Sequence, residues 1–316
     1  MASDRLNHLN VQFHIKSQLH RALLAEFMAT MLLMYVGFSI NAQTTLSRGQ
    51  NNTNLGNTIG WGLSLLFAVM MGWNITGSHV NPAISFCAWT FNELKFSHFV
   101  LYSIVQTIAS FFGALFTFVL YYDKINEFDE GVRQVRGINA TAGIFATYPG
   151  DHLSMLGGII DQVSCTTVMV IMVYMITDEK NQIPKWVQPA FISAMLVTVG
   201  MGFGLNAGNA MNPARDFGPR LFTLFAGYGM EVFSYNNYGW CWIPIICPMF
   251  GTVFGAWLYK FLIGFQLPDP EFPSNLPKSI SNNPSQITTL YSSDSPPLKV
   301  MVERSSSEST VNSIKI

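Results

Sequence analysis

Long stretches without a single charged residue constrain this chain more than any other feature. Residues 27–47, 49–92, 96–122, 162–177, 186–214 and 232–259 contain no Asp, Glu, Lys or Arg. A helix rises 1.5 Å per residue, so crossing about 30 Å of hydrocarbon takes about 20 apolar residues. Four windows suit one spanning helix each, the fourth only when extended back across Asp161 to Leu153. The 49–92 window is too long for one helix, and Gly77-Ser78-His79-Val80-Asn81-Pro82 interrupts it. A span at 57–74 followed by a short helix at 82–91 is predicted. The 186–214 window divides the same way, into a span at 187–205, a Gly/Asn-rich break and a short helix from Pro213. The expected fold is all-α and membrane-embedded, with six spans and two half-length helices.

Charge content agrees. Only 11% of residues are charged, against roughly 25% in soluble domains, and mean hydropathy is +0.29. A net charge of −1 excludes a nucleic-acid binder working through a broad basic field. The four cysteines, Cys87, Cys165, Cys241 and Cys247, have neither metal spacing nor the number for a disulfide scaffold, and read as buried thiols. The first twenty residues lack the apolar core of a cleavable signal peptide, so 1–20 is read as a polar N-terminal segment. Residues 266–316, rich in Pro and Ser, read as a disordered tail. The membrane-embedded region is 21–265.

Asn-Pro-Ala occurs twice, as Asn81-Pro82-Ala83 and Asn212-Pro213-Ala214, each after a Gly-containing break and before a short helix. Gly113 lies on the helix after the first motif, Gly251 and Gly255 on the helix after the second, and Glu26 has a positional partner in Gln162. Two copies of three spans follow, at about 21–122 and 153–264. Three is odd, so the second copy enters the bilayer from the opposite side and the repeats are inverted.

Non-helical backbone at membrane depth survives only where protein buries it or where it lines water. Asn is a favoured helix N-cap and Pro is preorganised for the first helical position. Each motif therefore starts a half-helix, and inversion brings the two positive ends together at the centre. The Asn81 and Asn212 carboxamides would offer donors to a passing molecule, and the helix dipoles would repel cations and protons. The backbone of Ser78, His79 and Val80, and of Gly208, Asn209 and Ala210, would supply a row of carbonyl acceptors. Such a lining suits a neutral hydrogen-bonding solute. Arg215, a charge directly after the second motif, projects into the conduit or else pairs with Asp216. His79 reads more naturally as a packed histidine than as a proton relay.

These residues resemble the major intrinsic protein family, and within it the aquaglyceroporin branch. The matching segments are Gly77-Ser78-His79-Val80-Asn81-Pro82-Ala83, Thr141-Ala142-Gly143-Ile144-Phe145-Ala146-Thr147-Tyr148-Pro149 and Met211-Asn212-Pro213-Ala214-Arg215-Asp216-Phe217-Gly218-Pro219-Arg220. The resemblance covers about Arg21 to Gly264. It implies a homotetramer with one pore per subunit, passing water and small neutral solutes such as glycerol. It also implies a narrow filter of Trp61, Gly200, Asn209 and Arg215. Water-only members carry His at the Gly200 position, so Gly200 leaves that volume empty. Where the bacterial glycerol facilitator has Phe, this chain has Asn209, which either widens the filter toward urea, polyols and protonated small acids or turns away to cap the adjacent loop. Gln162 stands where Glu is common in the family and would still hydrogen-bond the half-helix loop; Glu26 and Asp216 would support the loops as well.

Two other classes share six spans. An ion- or proton-coupled transporter would need titratable groups along the path, and only Glu26, Asp161 and Arg215 are candidates. A structural or junction protein would have no use for paired capped half-helices. No catalytic constellation is visible, since His79 and His152 lack a nucleophile and an orienting acid, and no metal or other cofactor is expected. The sequons at Asn51 and Asn139 fall in the first and third loops, and basic residues flank the spans on the other side. The reading is a plasma-membrane protein with cytoplasmic ends and glycosylation at those two sites.

Overall fold

The computed structural model describes residues 8, 9 and 11–268. The Ser-rich tail expected over 266–316 lies outside the described residues from 269 onward, as do residues 1–7 and 10 of the N-terminal segment.

Among the described residues, five helices are long and apolar enough to cross a membrane: α1 (Gln18–Leu46), α2 (Asn54–Thr76), α4 (Phe96–Leu120), α6 (Met155–Thr177) and α10 (Ile243–Leu262). The sixth span, α7 (Gln188–Phe203), has 16 residues, about 24 Å at the helical rise. Two half-length helices complete the set, α3 (Pro82–Thr90) and α8 (Pro213–Thr223). A short α5 (Tyr122–Asp129) follows α4, and α9 (Glu231–Ser234) precedes α10. No strand occurs among the described residues.

Local chemistry sets the boundaries. Ser17, Thr53 and Ser154 each accept a hydrogen bond from the backbone three residues on, capping α1, α2 and α6. Helix α1 therefore starts at Gln18, ahead of the charge-free window that opens at residue 27, and carries Glu26 inside it. That charge is tolerated because four donors surround it, as described below. The last span also differs from its window of 232–259. Gly229 and then Asn236, Asn237 and Tyr238 adopt left-handed φ values, which a helix cannot accommodate, so α10 begins only at Ile243.

The two halves pack alike. Helix α1 lies against α2 and α4, and α6 lies against α7 and α10 in the same roles. Helices α2 and α7 join the halves, while each half-helix crosses over: α3 packs on α10, and α8 on α4. Glycines set the closest approaches. A Cβ on Gly113 of α4 would lie 2.7 Å from Met34 Cβ of α1, and one on Gly255 of α10 would lie 2.5 Å from the Thr167 carbonyl of α6. Of the cysteines, Cys87, Cys165 and Cys247 are buried, whereas Cys241 is partly exposed because it lies in the turn before α10.

Candidate functional site

The repeat extends to individual backbone angles. Gly77, Ser78 and Val80 have φ values of 75°, 50° and 45°; Gly208, Asn209 and Met211 have 70°, 52° and 46°. Asn81 and Asn212 follow, both extended, and both fold their carboxamides back as N-caps. Asn81 Oδ1 accepts from Ala83 N at 2.8 Å. Asn212 Oδ1 accepts from Ala214 N at 3.0 Å and Arg215 N at 3.2 Å. Pro82 and Pro213 occupy the first helical position, where a missing N–H costs nothing.

The two loops meet. Asn81 Nδ2 donates to the Met211 carbonyl at 3.0 Å, and Asn212 Nδ2 donates to the Val80 carbonyl at 2.8 Å. Each amide nitrogen has a second N–H left for the lumen. Val80, expected to offer a free carbonyl, spends one lone pair on Asn212, and Met211 carries the matching carbonyl of the second half.

Buried polar groups hold both loops. Glu26 Oε1 accepts from His79 N (2.9 Å) and from the Thr76 hydroxyl (2.6 Å), and Oε2 from Val80 N (2.8 Å) and Gln106 Nε2 (2.9 Å). In the second half Gln162 Oε1 accepts from Met211 N at 3.3 Å. Its amide is oriented by Asp161, whose Oδ2 accepts from Gln162 Nε2 and whose Oδ1 accepts from Asn206 Nδ2, both at 2.9 Å. Asp161 thus serves as a bracket for the loop rather than as a group on the path, a role the sequence reading missed. His79 packs as expected, with Nδ1 at 3.0 Å from the Ser85 hydroxyl and its ring edge-on to Tyr102.

One cavity of about 980 Å³ runs past these loops. Thr44, Asn54 and Thr58 line it near one set of helix ends, and Val173 and Thr177 near the opposite set. Ser78, His79, Val80, Asn81, Gly208, Asn209, Ala210 and Asn212 all line its middle. So do Trp61, Gly200 and Arg215. No Asp or Glu is among the described residues lining it. Glu26, Asp161 and Asp216 stand behind the wall, so the cavity offers no carboxylate to a cation. Tyr148 lines it too; burial pushes its phenol above the ordinary range, so it stays neutral.

Arg215 does not pair with Asp216. Its Nη1 donates to the Phe145 carbonyl at 2.7 Å, and its guanidinium carbon lies 5.0 Å from the Trp61 ring centroid and 5.3 Å from that of Phe38. Asp216 is committed elsewhere, to Arg220 and to Thr147 N. The segment Thr141–Pro149 is thereby tied down twice, at Phe145 by Arg215 and at Thr147 by Asp216 and Arg220. Gly200 leaves less free volume than expected, because a Cβ there would lie 2.7 Å from Thr58 Cγ2. Asn209 Nδ2 donates to the Gly200 carbonyl at 3.4 Å, a long bond, and Oδ1 has no protein partner. Asn51 and Asn139 lie together with Arg48 around a separate surface recess, and Arg48 donates to Asn139 Oδ1 at 3.0 Å.

A bundle of six spans with two half-helices, whose capped starts meet on a continuous cavity, defines a multi-pass membrane channel. The family model described as major intrinsic protein matches residues 14–259. Mouse aquaporin-9 is 38% identical over 260 residues, covering 81% of this chain and 88% of the mouse protein. Human aquaporin-10 is 34% identical over 276 residues, covering 87% and 91%. The X-ray structure of the aquaglyceroporin from Plasmodium falciparum superposes with a TM-score of 0.70 at 23% identity, over 78% of this chain and 97% of that one. The chain belongs to the major intrinsic protein family; it is a channel and not an enzyme.

Proposed function

We propose that the channel conducts water and small neutral solutes such as glycerol, and that Trp61, Gly200, Asn209 and Arg215 form the ring that selects among them. The observation that carries this reading is the crossed pair of capping asparagines, Asn81 to Met211 and Asn212 to Val80, beside a cavity without carboxylates. Two helix N-termini and Arg215 set a positive potential against cations and protons, while amide N–H groups and loop carbonyls replace a solute's water. Trp61 supplies an apolar face for a carbon backbone, and Arg215 donates to hydroxyls on the other side. Asn209 adds a polar wall; with its Oδ1 unpartnered inside the protein, a solute donor is its natural partner, which extends the range to urea, longer polyols and protonated small acids. Relatives named aquaporin-9 and aquaporin-10, and an aquaglyceroporin of the same fold, support the solute class.

The protein works as a homotetramer in the plasma membrane with both ends cytoplasmic. Asn51 and Asn139, on the face shared by the ends of α1 and α4, are then extracellular and open to glycosylation. Proteoliposomes of the purified protein test the reading directly. Water and glycerol permeabilities should both rise with protein content while membrane current stays at background. A cation or proton current scaling with protein would defeat it.

A further inference from the structure

The Trp61 indole does not hang freely in the cavity. It lies lengthwise along one turn of α1. A Cβ built on Gly37 would overlap its six-membered ring, so the ring occupies the space that glycine vacates. Phe38 meets it edge-on, with centroids 5.9 Å apart. At the other end its Nε1 donates to Asn41 Oδ1 at 2.9 Å. Positions 37 and 41 are one turn apart, about 6 Å along the axis, which matches the long dimension of an indole.

Asn41 makes two further bonds. Its Oδ1 also accepts from Asn57 Nδ2 at 3.0 Å, and its Nδ2 donates to the Ile144 carbonyl at 2.9 Å. The amide orientation is unambiguous: a flip would set an NH₂ against two donors and an oxygen against a carbonyl. The carbonyl after Ile144 is that of Phe145, which holds Arg215 at 2.7 Å. One carboxamide therefore touches the indole directly and, through adjacent carbonyls, the loop that anchors the guanidinium.

We infer that Asn41 is the positioning residue of the solute filter: it fixes the Trp61 indole flat against α1 and sets its distance from Arg215. With its N–H consumed by Asn41, the indole presents only carbon to the lumen, so hydroxyl recognition falls to Arg215. The inference rests on the proposed role of Trp61 in solute selection.

The test compares glycerol-to-water permeability ratios in proteoliposomes for Asn41→Leu, Trp61→Phe and the double variant. Asn41→Leu removes the acceptor and frees the indole; the ratio should fall roughly three- to tenfold, the range produced by loss of one neutral hydrogen bond. Phe at 61 has no N–H, so Asn41→Leu should change the ratio far less in the Trp61→Phe background. Equal effects of Asn41→Leu in both backgrounds, or none in either, would overturn the inference. A Trp61→Phe variant with the parent ratio would instead remove the role of Trp61 on which it rests. The parent alone supplies a further check. Its ultraviolet resonance Raman spectrum minus that of Trp61→Phe must carry the signature of a hydrogen-bonded indole N–H, and a free N–H signature refutes the arrangement.

Discussion

Asp216 and Arg220 form a fully buried ion pair one turn apart on α8, with Arg220 Nη2 at 2.8 Å from Asp216 Oδ1. Neither charge is left with idle hydrogen-bonding groups. Arg220 also donates to the carbonyls of Val232 and Thr147, and Asp216 accepts from Thr147 N. The pair joins the second half-helix to α9, at Val232, and to the 141–149 segment, at Thr147, without facing the conduit. Arg220→Met strands the Asp216 carboxylate and the Val232 carbonyl, and leaves the Thr147 carbonyl with Trp240 as its one remaining donor. A loss of about 3–5 kcal/mol is expected, read as early aggregation on heating in detergent. Normal thermal stability of Arg220→Met would mean that the pair is dispensable.

Asn212→Ala removes a cap and the bond to Val80 together. Each is worth about 1 kcal/mol, and both sit where the two halves meet. Thermal stability should drop by about 2 kcal/mol, and water and glycerol flux should fall in parallel, because the central loops are shared by every solute. A variant that lost glycerol flux alone would point away from a common central constriction.

Gly200→His tests the width of the filter. The new side chain must displace the Thr58 methyl and then occupy the lumen beside Trp61 and Arg215. Glycerol permeability should fall much more than water permeability, on the order of tenfold or more if access costs about 1.4 kcal/mol. Stopped-flow light scattering on both solutes decides, and equal losses at equal protein content would place Gly200 outside the filter.

Arg215→Val removes the charge nearest Trp61 and frees the Phe145 carbonyl. Solute flux should remain measurable while a proton or cation leak becomes detectable by a pH-sensitive dye inside the liposomes. Unchanged selectivity in folded Arg215→Val protein would assign cation exclusion to the helix ends alone.

Asn209→Phe separates a polar filter wall from a simple loop cap. The bond from Asn209 to the Gly200 carbonyl is long at 3.4 Å, so its loss should cost little stability. Glycerol flux should persist, and urea and longer polyols should lose at least several-fold in permeability. An unaltered solute profile would leave Asn209 with the capping role only.

The spans and half-helices were legible because hydrocarbon forbids charge, and the duplicated Asn-Pro-Ala was legible because few residues can both cap a helix and begin it. What escaped was whatever depends on contacts between distant segments. Asn41 lies in an apolar helix like any other polar residue, and nothing in its neighbours marks the indole 20 positions on. Asp161 reads as a lone charge at the edge of a span until Asn206 and Gln162 close around it. Helix α1 begins ahead of its charge-free window, and what lets Glu26 sit inside it, four donors from three other segments, cannot be seen in the sequence around it. The late start of α10 arises from left-handed residues at Asn236, Asn237 and Tyr238, which an uncharged window does not disclose.

The crossed asparagines have one more consequence. Asn81 reaches the residue before Asn212, and Asn212 reaches the residue before Asn81. Contact of one position with another, returned in kind, is the rule of an isologous interface between two identical subunits on a two-fold axis. The centre of this single chain is thus built as a homodimer contact would be, with the segment between α4 and α6 acting as the tether. Each half brings its own loop conformation but lacks the partner carbonyl for its asparagine, so neither half can finish its share of the conduit without the other.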